Sequence, residues 1–188
     1  PFDRLYKEYA TQMGYPTSDA ESINIFYQAV HQRATFIWMD SPLKFYVVEN
    51  AGGWHEELED RLPPGGYGSC PWYCDDVLRT KFPPPEPELG PPFGSAAYKW
   101  SKDPARWEHM IGWREWQCNF LQNAVQYQNF EHGRALGPMR FRPSYSRDKF
   151  SSEGVVIVLL ADGTWRTASS TTPQTYPCEE PLTPLLKP

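Results

Sequence analysis

At 188 residues and a formal net charge of −5, the chain is long enough for one domain with its own core. Its acidic balance speaks against a general nucleic-acid binder. Proline, at 20 residues, is about twice its usual share, but 8 tryptophans, 11 tyrosines and 10 phenylalanines accompany it, a mixture that fits ordered, loop-rich structure better than disorder.

The chain begins at Pro1 without a methionine, as either a processed or a trimmed chain does, so no targeting signal can be read from it. No apolar run approaches the ~20 residues of a spanning helix. Ser18-Asp19-Ala20-Glu21 has the spacing of a capping box, and Ile23, Phe26, Tyr27 and Val30 follow at helical intervals, predicting a helix over about 19–32. Ala34 to Met39 is rich in strand formers. Ser41-Pro42 then opens a second helix ending before Gly52-Gly53, with Phe45 to Val48 equally acceptable as strand. Trp54-His55-Glu56-Glu57-Leu58-Glu59-Asp60 lacks the second histidine of H-E-x-x-H and reads as a solvated acidic face.

After the loop Pro63-Pro64-Gly65-Gly66, Ser69-Cys70-Pro71 repeats the cap-then-proline pattern and predicts a short helix to about Thr80. The run Pro83-Pro84-Pro85-Glu86-Pro87-Glu88-Leu89-Gly90-Pro91-Pro92 cannot be helix or sheet interior. An extended, polyproline-like strap over 83–94 is expected, pressed against the body of the protein or a partner. Asp103-Pro104 opens the strongest helical pattern, about 104–131, closed by Gly133. Phased at 100° per residue, Trp107, Ile111, Cys118, Leu121 and Val125 share one face, and Trp113, Trp116, Phe120 and Tyr127 share another. A helix with two apolar faces is either sandwiched in the domain or turns one face to another chain. Val155 to Leu160, the turn Asp162-Gly163 and Thr164 to Ser170 form a hairpin. Beyond it, prolines at 173, 177, 181, 184 and 188 predict an extended tail.

These elements predict an α+β fold of three or four helices, one long and central, with a small antiparallel sheet built on the C-terminal hairpin. Irregular proline- and aromatic-rich segments would wrap a single domain over 1–172, leaving 173–188 as the tail.

No motif carries catalysis strongly. Cys70, at the expected N-cap of a helix, has the position that stabilises a thiolate. Gly68-Ser69-Cys70-Pro71-Trp72-Tyr73 is similar over these six residues to the nucleophile context of papain-like cysteine hydrolases. That resemblance would make Cys70 the nucleophile and require a histidine base; His132 is geometrically freer than His109, which lies within the predicted long helix. Cys70, Cys74 and Cys118 form a weak zinc alternative, because a second compact ligand pair is absent, while the four cysteines, with Cys178, permit two disulfides. Arg134, Arg140, Arg142, Arg147 and Lys149 lie among aromatics, a pattern that can grip nucleic acid but here reads better as a solvated loop or a docking patch for an acidic partner. Exposed tryptophans would also suit a carbohydrate-binding module. The strap, the tail and the doubly apolar helix favour a non-catalytic interaction protein, a subunit of a larger protein assembly with no cofactor. Its contacts are expected at Trp113, Trp116, Phe120 and Tyr127, and on the strap at Pro84, Pro85, Pro87 and Phe93.

Overall fold

The computed structural model describes residues 2–40, 43–58, 74–118, 122–139 and 153–173. Strands dominate them. The order is α1 (Asp3–Met13), β1 (Glu21–His31), β2 (Ala34–Asp40), β3 (Leu43–Glu49), β4 (Trp54–Leu58), α2 (Asp75–Lys81), α3 (Gly94–Lys102), α4 (Pro104–Ile111), β5 (Arg114–Cys118), β6 (Gln122–Phe130), β7 (Gly133–Met139), β8 (Glu153–Leu160) and β9 (Trp165–Pro173). The strands form one antiparallel sheet in the order β4-β3-β2-β1-β6-β7-β8-β9, with β5 also paired to β1. A bridge between Gly53 and Thr164 brings the two ends together, secured by Trp54 N–H to Gly163 O at 2.9 Å and Trp165 N–H to Gly52 O at 3.2 Å. The sheet is therefore nearly closed into a barrel.

This overturns the expected small sheet flanking a long central helix. The helix at 104 is real but short: Asp103 accepts from Arg106 N–H at 3.2 Å, Pro104 occupies the first turn, and Gly112 at φ 69° ends it. Past Gly112 the chain runs on as β5 and β6, both antiparallel to β1, with Val30 opposite Trp116 and Ile23 opposite Val125. The predicted helix over 19–32 is β1, and the one over 42–51 contains β3. Ser18 caps no helix; its hydroxyl accepts from Asn129 N–H at 3.2 Å and holds β6. The β-branched Ile23, Ile25, Val47 and Val48 are stiff at χ1 and pack well on a pleated surface, so sheet burial outweighs a helical spacing that was only approximate. Expectation and fold agree on Ala34–Met39, on the hairpin expected over 155–170 (observed as β8 and β9) and on α2, although α2 starts at Asp75 and Pro71–Tyr73 lie outside the described residues. The tail beyond Pro173 also lies outside them.

Period-two alternation sorts side chains between two layers. Ile23, Ile25, Ile37, Met39, Tyr46, Val48, Val125, Leu136, Ile157 and Leu159 fill the barrel. On the outside, Phe36, Phe45 and Val47 pack beneath Leu78 of α2, Trp100 of α3, and Trp107 and Ile111 of α4. On another flank, Phe2, Leu5 and Met13 of the α1 region cover Phe130, Ala135, Val156 and Val158. Each fully buried large side chain contributes about 1.5–3 kcal/mol, so both faces of β2 and β3 anchor the fold. No described helix is long and apolar enough to cross a membrane.

Candidate functional site

The proline strap is a bent loop with two different halves. Leu89 N–H donates to Glu86 O at 3.1 Å, closing a turn with Pro87 at its second position, where the fixed φ of proline fits. Pro83, Pro85, Glu86, Pro87 and Glu88 are exposed and Pro84 is half-buried, whereas Leu89, Gly90, Pro91, Pro92 and Phe93 are buried. The buried half is fastened to β5. Gly90 N–H donates to Arg114 O at 2.7 Å, and Arg114 N–H returns a bond to Gly90 O at 3.0 Å.

Beneath this half lies the Arg114 side chain, fully buried. Its guanidinium is ion-paired with Asp75 of α2 and sits over the Phe93 ring, 5.5 Å from the centroid. Arg79 joins in, with Nε donating to Asp75 at 2.7 Å and a second nitrogen to Leu89 O at 2.9 Å. Burial pushes the Asp75 carboxyl up, but the two arginines outweigh it and hold the group below its ordinary range. The adjacent His31 is also fully buried; its Nδ1–H donates to Gly112 O at 2.9 Å. Burial lowers its pKa to about 4, with Arg114 adding to the effect, so the ring is neutral at pH 7.

A second polar cluster lies inside the barrel, where strand alternation brings Lys44, Tyr46, Glu56, Tyr127 and Arg134 together. Lys44 and Arg134 both donate to the same Glu56 oxygen, Lys44 at 3.2 Å. Arg134 also donates to the Tyr46 hydroxyl at 2.9 Å, and the Tyr127 hydroxyl donates to Asn129 at 2.7 Å. The Lys44 ammonium lies 5.4 Å from the Tyr46 centroid and 5.8 Å from that of Tyr127. The Arg134 guanidinium covers Tyr46 and Trp54 at 5.6 and 5.5 Å. Burial raises the Tyr46 pKa, and burial with the neighbouring Tyr46 pushes Tyr127 up to about 12. Both phenols stay neutral.

The 54–60 stretch is thus only partly a solvated acidic face. Glu56 points into the barrel, and Glu57 points outward to Lys99 of α3 at 3.0 Å and Arg106 of α4 at 3.2 Å, tying helices to sheet. Its His-Glu pair is split across the strand by the same alternation.

The expected contact residues are dispersed. Tyr127 faces the barrel interior and Phe93 lies in the outer core. Trp113 is half-buried, its ring 5.2 Å from Trp100 and its Nε1–H donating to Glu108 at 3.2 Å. They share no helical face, because the helix that would have aligned them is absent. Trp116 lies on β5, but its side chain and the whole of Phe120 fall outside the described residues. On the strap, Pro85 and Pro87 are exposed and Pro84 is half-buried. Trp100 and Trp107 are buried, and Trp38, Trp54, Trp113 and Trp165 are half-buried.

For the catalytic and metal alternatives, Cys70 lies outside the described residues and Cys118 is placed only as backbone of β5. Cys74, not Cys70, precedes the first turn of α2, and it is disulfide-bonded. Its sulfur is consequently unavailable to zinc. His132 is exposed on the β6–β7 turn beside Gln12, Asp162 and Arg166, lining a cavity of about 320 Å³. Among the described residues, no group of three or more His, Cys, Asp or Glu side chains is placed to hold a metal ion. Arg140, Arg142, Arg147 and Lys149 lie outside the described residues, while Arg134 is committed to the barrel.

Sequence reasoning missed the two arginine clusters. The available signal was a charged residue at a lumen-facing position of an apolar strand: Lys44 alternates with Tyr46 and Val48, and Arg134 with Leu136. No family model, no curated protein and no solved structure matches the chain.

Proposed function

We propose that the chain is a non-catalytic interaction protein that serves as a subunit of a larger protein assembly, with the strap tip Pro83–Glu88 as its contact. One observation carries this: the strap's tip is exposed while its second half is built into the core through Gly90, Arg114 and Asp75. A segment with four prolines and two glutamates, held at both ends, loses little conformational entropy on binding. Its exposed carboxylates, Glu86 and Glu88, favour a basic partner surface. The disulfide at Cys74 is in keeping with assembly in an oxidising compartment.

The test is the apparent mass of the chain in native extract of its source, by size-exclusion chromatography. The intact chain is expected to elute well above its 21.7 kDa. Chains carrying Pro85→Ser, Glu86→Lys and Pro87→Ser together are expected to return to monomer mass with an unchanged thermal midpoint. Elution of the intact chain at monomer mass in extract sinks the proposal.

A further inference from the structure

We propose that the polar cluster inside the barrel is a binding site for a small organic carboxylate, received by the free edge of Arg134. The site is independent of the strap and of any assembly it makes.

Its first support is a charge imbalance. Two cations, Lys44 and Arg134, meet one carboxylate, and both use the same Glu56 oxygen. Tyr46 and Tyr127 supply no negative charge, because both hydroxyls stay protonated at pH 7. The cluster therefore carries about one surplus positive charge on the barrel wall, part-exposed to solvent, where a matching anion is favoured.

Its second support is spare donor capacity. Lys44 has Glu56 as its acceptor, and its ammonium otherwise faces the Tyr46 and Tyr127 rings. Arg134 makes its bonds to Tyr46 and Glu56 through one terminal nitrogen. Among the described residues, Nε and the other terminal nitrogen have no protein acceptor. Those two N–H groups run parallel, the fork that takes both oxygens of a planar carboxylate. The Tyr46 and Trp54 rings lie within cation–π range of the guanidinium and help to fix its position.

Access completes the case. The side chains of Arg134 and Glu56 are 26% and 28% exposed, while that of Lys44 is 9% exposed. The Arg134–Glu56 pair is therefore open to solvent, and Lys44 is the more deeply buried cation. A phosphate can use the same fork, but about one surplus positive charge matches a monovalent carboxylate better than a phosphate, which carries more than one negative charge at pH 7.

Titration of the full chain by calorimetry at pH 7, using benzoate, benzamide and inorganic phosphate as probes, tests the site. Benzoate is expected to bind saturably, benzamide not at all, and phosphate more weakly than benzoate. Arg134→Gln should abolish benzoate binding, and Arg134→Lys, which keeps the charge without the fork, should weaken it. Glu56→Gln removes the competing carboxylate with its shape retained and should tighten binding at least roughly threefold. Absence of benzoate binding to the intact chain, equal binding of benzamide, tighter binding of phosphate, or weakened binding in Glu56→Gln would each overturn the proposal. Glu56→Gln keeps the test decisive should Arg134→Gln fail to fold.

Discussion

Arg114 on β5 and Arg134 on β7 are each ion-paired to a carboxylate through a close contact. Their surroundings make them opposites. Arg114 lies outside the barrel under the buried half of the strap, with no solvent exposure, and shares Asp75 with Arg79. Arg134 lies inside the barrel with a quarter of its side chain exposed, sharing Glu56 with Lys44. Buried beneath the strap, the Arg114 guanidinium fastens strap, α2 and β5 together through Asp75. Part-exposed, the Arg134 guanidinium has donors that a ligand can reach. Burial of the guanidinium, not the residue type or the charge count, decides which arginine is structural.

The largest expected effect tests the Arg114–Asp75 pair. Asp75→Asn leaves the buried Arg114 guanidinium without its carboxylate; because Asp75 itself is 40% exposed, the cost in urea unfolding should sit at the low end for a buried pair, about 3 kcal/mol. Glu56→Gln, where water screens the cluster, should cost about 1 kcal/mol or less. Equal losses would erase the distinction between the two sites.

Acid tests the histidine beside Arg114. His31 has a folded pKa of about 4 against an ordinary 6.5, so the unfolded chain binds the extra proton between those values. Its contribution is fully present above pH 6.5 and is lost as pH falls through 6.5 toward 4, by up to about 3 kcal/mol. Urea melts across that window should show this slope, and His31→Gln should flatten it.

Gly90→Ala probes the contact between strap and arginine. A Cβ at position 90 would lie 2.6 Å from Nε and from a terminal nitrogen of Arg114. Because that guanidinium is buried and held by Asp75, the strap must lift, at about 1–3 kcal/mol. The loss should be non-additive with Asp75→Asn, since both act on one cluster. The smallest effect belongs to the exposed tip: Pro85→Ser and Pro87→Ser should each change stability by about 0.5 kcal/mol or less. A large loss there would make the tip part of the fold and remove it as a contact surface.

How much was legible in the chain differs by element. Strand β2 and the β8–β9 hairpin were readable because β-branched runs and an Asp-Gly turn specify them locally. The N-terminal start of α4 was readable from Asp103-Pro104, and its end was marked by Gly112, a stop signal the helical phases of the following aromatics obscured. The strap was readable as irregular, since prolines at 83–85, 87 and 91–92 exclude helix and sheet whatever surrounds them.

Strand or helix at 21–31 and 114–130 was settled by the tertiary structure alone. Both segments have apolar residues at intervals compatible with either state, and burial on both faces of a barrel wall rewards the strand. The same holds for the charged residues. Local sequence can place Lys44, Glu56 and Arg134 on strands, but only closure of the sheet brings them into one interior. Likewise, Arg114 becomes a buried anchor only because the strap, irregular by its own composition, folds back over β5. Local conformational limits act within a few residues, whereas charge pairing and burial depend on segments up to a hundred residues apart, so they appear only when the barrel closes.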